Sequence, residues 1–148
     1  MKVKGKPVNI LLVEDNEDHA ELTLSALRNN NVINEIHVVR DGEEALDFVY
    51  HRGKYTDVEK FPLPGLILLD ISLPKLSGLE VLETFKKDPE LKVIPVIMLT
   101  TSSREEEILR SYANGANSYV TKPVDFDEFV RKIKDIKLYW TLTNSLPL

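Results

Sequence analysis

The chain has 148 residues, 43% of them hydrophobic, enough for one ordinary domain with a real core but not for a second. Its formal net charge of −5 offers no basic field to hold duplex DNA or an anionic membrane, and with no cysteine it has neither a disulfide framework nor a thiolate metal site. The start, Met1-Lys2-Val3-Lys4, lacks the apolar stretch of a signal peptide and no apolar run approaches a membrane span, so a cytoplasmic protein with no direct nucleic-acid or membrane partner is expected.

The elements alternate. Ile10-Leu11-Leu12-Val13 is a short run apolar throughout, as in a strand buried on both faces, and it ends on Glu14-Asp15. Ala20, Leu24 and Leu27 then recur at helical spacing between Asn16 and Asn30, with Asn16 or Asp18 as the cap. A β-branched run from Glu35 to Val39 precedes a second helix opened by Asp41 with Glu44 and carrying Ala45, Leu46 and Val49 inward. The stretch from His51 to Gly65, with Gly53, Pro62 and Pro64, breaks the spacing and reads as a surface loop. Leu66 to Leu69 is the next strand and ends on Asp70. Leu73-Pro74 forces a turn, after which Leu79, Leu82 and Phe85 line one side of a helix between Ser77 and Asp88. Val96 to Leu99 ends on Thr100, and a helix from Arg104 to Asn114, with Ile108, Leu109 and Tyr112 inward, stops at Gly115. Ser118 to Lys122 is the last strand. Asp125 with Glu128 starts the last helix, on which Phe129, Val130, Ile133 and Ile136 keep the period.

Five strand-helix units in a row predict a doubly wound α/β domain, a five-stranded parallel sheet between two layers of helices. In such sheets ligands bind at the carboxyl ends of the strands, so Glu14, Asp15, Asp70, Thr100 and Lys122 are expected on one rim. Asp70 is the candidate nucleophile, because a carboxylate can hold a phosphoryl group as an acyl phosphate; its bland alternative is a turn or cap aspartate. Three carboxylates so close resist joint ionisation unless a cation sits among them, and all-oxygen donors suit Mg²⁺ better than zinc. Lys122 and Thr100 would spread the charge of a transferring phosphoryl group. Taken singly, each is more simply a solvated lysine and a strand-end threonine. His19, His37 and His51 have no metal spacing and no assigned role, and Gly42 and Gly78 lie in no nucleotide-binding pattern.

These residues resemble the receiver domains of two-component response regulators. Glu14-Asp15 is similar to the family's acidic pair, Asp70 to its phosphoacceptor, Thr100 thirty positions on to its switch hydroxyl, and Lys122-Pro123 to its lysine with a following proline. The resemblance covers about residues 8–137, within a single receiver domain spanning 1–148 whose residues 138–148 form an extension. It implies sheet order 2-1-3-4-5, the flavodoxin-like arrangement, with five helices. It also implies a cis Lys122-Pro123 bond and Mg²⁺ on Asp15, Asp70 and the Ser72 carbonyl, with Glu14 acting through water. Tyr119 takes the place of an aromatic switch residue, where composition alone favours a half-buried strand tyrosine. Ser72 and Thr101 depart from the residues most common in the family, and both border the phosphoryl site.

The implied function is a phosphorylation switch: Asp70 takes a phosphoryl group from a histidine kinase with Mg²⁺, and a downstream protein reads the result. Self-catalysed transfer and dephosphorylation at Asp70 would be its only chemistry. The loop from His51 to Gly65 and the Leu138-Tyr139-Trp140 tail resemble regulators that serve bacterial phytochromes. In that subgroup the last helix and tail contribute to a homodimer; the alternative is that Tyr139 and Trp140 cover this chain's own core. Two other readings compete. One is a receiver-shaped interaction module without phosphorylation; the other is a Mg²⁺-dependent phosphatase of the haloacid dehalogenase type, whose second aspartate is here Ser72.

Overall fold

The computed structural model describes residues 9–30, 34–102, 104–105 and 118–135. Five strands, β1 (Ile10–Val13), β2 (Ile36–Val39), β3 (Leu66–Asp70), β4 (Val96–Thr100) and β5 (Ser118–Thr121), form one sheet in the order β2-β1-β3-β4-β5, every neighbouring pair parallel. This is the order that the resemblance implies.

The sheet is covered on both sides because β1, β3 and β4 are buried at every position, and alternate residues feed opposite faces. Leu11, Val13, Ile67, Leu69, Val96 and Met98 join Ala45, Phe48 and Val49 of α2 (Gly42–Val49) and Val81, Leu82 and Phe85 of α3 (Gly78–Lys87). Ile10, Leu12, Leu66, Leu68, Ile97 and Leu99 join Ala20 and Leu27 of α1 (Glu17–Arg28) and Phe129 and Ile133 of the helix Phe126–Asp135. Two cores back to back make the three layers.

Four α-helices lie among the described residues, where five are expected. Of the helix expected from Arg104 to Asn114, only Arg104 and Glu105 are described, and both are helical. The remainder of that range lies outside the described residues, as do Ile136 and the extension 138–148 with the Tyr139 and Trp140 of the expected dimer contact.

The helix starts are set by side chains. Asn16, not Asp18, caps α1 by accepting from the His19 amide at 2.9 Å, and Asp41 caps α2 by accepting from the Glu44 amide at 2.8 Å. Ser77 and Glu80 form a reciprocal capping box at α3. Gly78 must be glycine, since a Cβ there would lie 2.2 Å from the Asp70 carbonyl oxygen and 2.7 Å from the Ile71 Cα. The start of α3 is thereby pressed against the end of β3.

The segment expected as a surface loop is exposed from Thr56 to Lys60 but not throughout. It contains a short 3₁₀ turn at Gly53–Tyr55, and Tyr55 is buried with Phe61 and Phe48, ring centroids 4.9 and 5.1 Å away. The Tyr55 hydroxyl donates to Glu44, and both the hydroxyl's burial and the neighbouring carboxylate push its pKa up. An aromatic plug therefore fastens the loop to α2.

Candidate functional site

Parallel order makes the strand ends coincide. Asp70 pairs with Leu99 and Thr100 with Thr121, so the residues following β1 and β5 and those ending β3 and β4 share one rim. Glu14, Asp70 and Thr100 are buried there, at 1%, 3% and 0% exposure, and Asp15 is exposed.

Lys122 is the hub. Its ammonium donates to Glu14 Oε1 at 2.8 Å and to Asp70 Oδ2 at 2.9 Å, with only 6% of the side chain exposed. The other oxygens are held by backbone: Asn16 N–H donates to Glu14 Oε2 at 3.2 Å and Ser72 N–H to Asp70 Oδ1 at 3.1 Å. Burial pushes the Asp70 carboxyl up to about 6, and Glu14 adds to the rise while Lys122 opposes it. Burial works against the charge on Lys122, but its two carboxylate partners prevail and hold its pKa above the ordinary value. The Lys122-Pro123 peptide is cis, as the resemblance implies.

The donor set suits a hard divalent cation. Carboxylate oxygens of Glu14, Asp15 and Asp70 lie within 4.8 Å of one another, and among the described residues no histidine or cysteine joins this group. Thr100 suits an anion. Its Oγ1 is buried with no hydrogen-bond partner among the described residues, although its carbonyl accepts from Lys122 N–H at 2.6 Å. A buried hydroxyl left so is unfavourable unless something brings it an acceptor. Tyr119, on β5 opposite Met98, is half-buried beneath the Lys132 ammonium, 4.5 Å from the ring centroid.

Two residues gain contacts that the sequence reading does not assign. His19 Nδ1 is 3.1 Å from the Lys122 ammonium and must be the acceptor, since an ammonium can only donate. His19 also lines a cavity of about 150 Å³ with Leu22, Thr23, Thr101, Lys122 and Pro123. Glu105 bonds both Ser72 and Thr101, the two positions at which the chain departs from the common pattern. The signal for Glu105 is present in sequence: Ser102-Ser103-Arg104-Glu105 has capping-box spacing.

The chain belongs to the response regulator receiver domains, whose family profile matches residues 10–134. Proteins of this family are phosphoacceptors of two-component signalling. Among curated relatives, the probable methanogenesis regulatory protein FilR2 of Methanothrix harundinacea is 41% identical over 142 residues, 95% of this chain and 88% of that protein. Response regulator Rcp1 of Synechocystis sp. is 39% identical over 141 residues, 95% and 94% of the two chains. Among solved structures, the bacteriophytochrome response regulator AtBRR is 45% identical with a TM-score of 0.86, over 95% of this chain and all of that one. A Mn²⁺-bound form of Rcp1 is 39% identical with TM-score 0.71, and the phosphorylated cyanobacterial phytochrome response regulator RcpA is 40% identical with TM-score 0.73; these cover 96% and 97% of this chain and 100% of theirs. No helix among the described residues is long and apolar enough to cross a membrane.

Proposed function

We propose that Asp70 accepts a phosphoryl group from a sensor histidine kinase and that the acyl phosphate switches which protein this receiver domain binds. One observation carries the reading: a buried Thr100 hydroxyl, without a partner among the described residues, beside a buried aspartate that already shares a lysine with Glu14. The site has donors arranged for an anion larger than a carboxylate.

In the forward step an Asp70 carboxylate oxygen forms a P–O bond as the P–N bond of a phosphohistidine breaks, and the electron pair returns to the imidazole. Lys122 keeps its proton throughout and moves one donated hydrogen bond from the carboxylates to a phosphoryl oxygen. Thr100 donates to another. Mg²⁺ is the ion proposed for Asp15, Asp70 and the Ser72 carbonyl, with Glu14 acting through water, and when bound it would neutralise these acids and a phosphoryl oxygen. Attack of water later breaks the new P–O bond, with the proton carried away on inorganic phosphate. Thr100 drawn toward the phosphoryl group biases Tyr119 and the surface beside it, a population shift rather than a new fold.

The phosphorylated RcpA and the Mn²⁺-bound Rcp1 support this chemistry by likeness, and the phytochrome regulators among the relatives support a kinase of the phytochrome type. Incubation with acetyl phosphate and Mg²⁺, followed by intact-mass measurement, tests it. One acid-stable, base-labile phosphoryl group is expected on the native chain and none on Asp70→Asn. Full labelling of that variant contradicts the assignment.

A further inference from the structure

The carboxylate of Glu105 lies across the mouth of the site. In the ladder between β3 and β4, Leu99 O accepts from Ile71 N–H, so the peptide groups of residue 99 face β3. By the period of two, those of Thr101 face β3 as well. Continued pairing would set Thr101 N–H on Ile71 O, but the chain turns away there and Gly78 N–H donates to that oxygen at 3.0 Å. Thr101 N–H is therefore the first amide past the sheet on the Asp70 side, the natural donor for an anion at Asp70. It is already taken: Glu105 Oε1 accepts from it at 2.6 Å and from the Thr101 hydroxyl at 3.1 Å.

The second oxygen reaches the other bank. Glu105 Oε2 accepts from Ser72 Oγ at 2.9 Å, and Ser72 N–H in turn holds Asp70 Oδ1. One carboxylate thus ties the residue after Thr100 to the residue two past Asp70. A helix cap alone does not ask for this. Glu105 N–H does donate to Ser102 Oγ at 3.2 Å, as in a capping box, but in that motif the glutamate returns to the cap residue's own amide and has no business with a residue 33 positions away.

We propose that Glu105 is a positioning residue that competes with the phosphoryl group: it occupies the Thr101 amide in the resting state and must be displaced when Asp70 is phosphorylated. Two anions cannot share one donor, and a phosphoryl group carries more charge to the same rim. Displacement would also release the Ser72 tie and hand the event to the helical start at Arg104–Glu105, linking the chemistry to a surface element. Glu105 takes no part in making or breaking a bond. It sets how readily the site opens.

The inference rests on phosphorylation at Asp70, and the experiment separates the two. The initial rate of labelling by acetyl phosphate with Mg²⁺ is measured on the native chain, Glu105→Gln and Glu105→Ala, beside the amide proton shift of Thr101 without phosphodonor. A rate increase of about tenfold is expected for Glu105→Ala and a smaller one for Glu105→Gln, whose neutral amide can still accept. The Thr101 amide should move upfield in Glu105→Ala. A purely structural glutamate predicts the opposite sign, slower labelling with lower thermal stability, and Glu105→Gln guards against a variant that fails to fold. Rates equal to or below the native one in both variants overturn the competition while leaving Asp70 as acceptor; no label on the native chain overturns both.

Discussion

At the scale of single residues, the site is a set of charges that need one another. Lys122 is the cation shared by two buried acids, so Lys122→Met should lower stability to urea by about 3 kcal/mol, as expected when one partner of a buried ion pair is removed. Added Mg²⁺ should restore part of that loss, because it supplies the missing charge. A loss under half that size, with no response to the ion, would mean that the acids do not depend on the lysine. Asp70 carries the pH dependence. Its carboxyl sits near 6 in the fold against an ordinary 3.8, so the folded state holds the proton more tightly. Its contribution to stability is full below the ordinary value and is lost as pH rises through about 6. A cation competes with that same proton, so Mg²⁺ affinity should fall by up to about tenfold per pH unit below 6, and the fall should be shallower in Asp70→Asn. Calorimetric titration at a series of pH values checks this, and an affinity flat from neutrality to pH 5 would contradict it.

At the scale of elements, the precision of the rim comes from how helices meet strand ends. Gly78 lets α3 begin against the last peptide of β3, and Gly78→Ala should destabilise by about 1–3 kcal/mol because the atoms in the way are backbone and cannot swing aside. Unfolding in urea measures it; a neutral substitution would mean that the β3–α3 turn is loose. The strands themselves are legible in sequence, since β1, β3 and β4 are runs of four apolar residues that lead directly into the candidate site residues Glu14, Asp70 and Thr100. Helix starts are legible from Asp41 with Glu44 and from Asp125 with Glu128. His19 is not legible from the sequence because its partner Lys122 lies 103 positions away, and nothing local distinguishes a helix-start histidine that meets Lys122 from one that faces water. For Glu105 the capping-box spacing is local and legible, but its bond to Ser72, 33 positions away, is not. The His51–Gly65 segment misleads in the other direction, as its glycines and prolines mark a loop while Tyr55 and Phe61 are drawn into an aromatic cluster.

At the scale of the whole molecule, two hydrophobic cores pack the two faces of the sheet, and the candidate site groups stand where that sheet ends. Neighbouring strands in the order β1-β3-β4-β5 place an acid pair, an aspartate, a hydroxyl and a lysine side by side, although the chain visits them far apart. The strand order is the part of the fold that composition and periodicity leave open; it comes from the likeness to receiver domains, and the sheet agrees with it. Asp70 is the proposed seat of a phosphoryl group held by Lys122 and Thr100. A crystal structure with Mg²⁺ and beryllofluoride tests that most directly. It should show the beryllium bonded to an Asp70 carboxylate oxygen, with Thr100 Oγ1 and Lys122 Nζ within hydrogen-bonding distance of its fluorines. Beryllofluoride bound elsewhere, or an Asp70 still clasped by Lys122 beside an unpartnered Thr100 at saturating ligand, would contradict it.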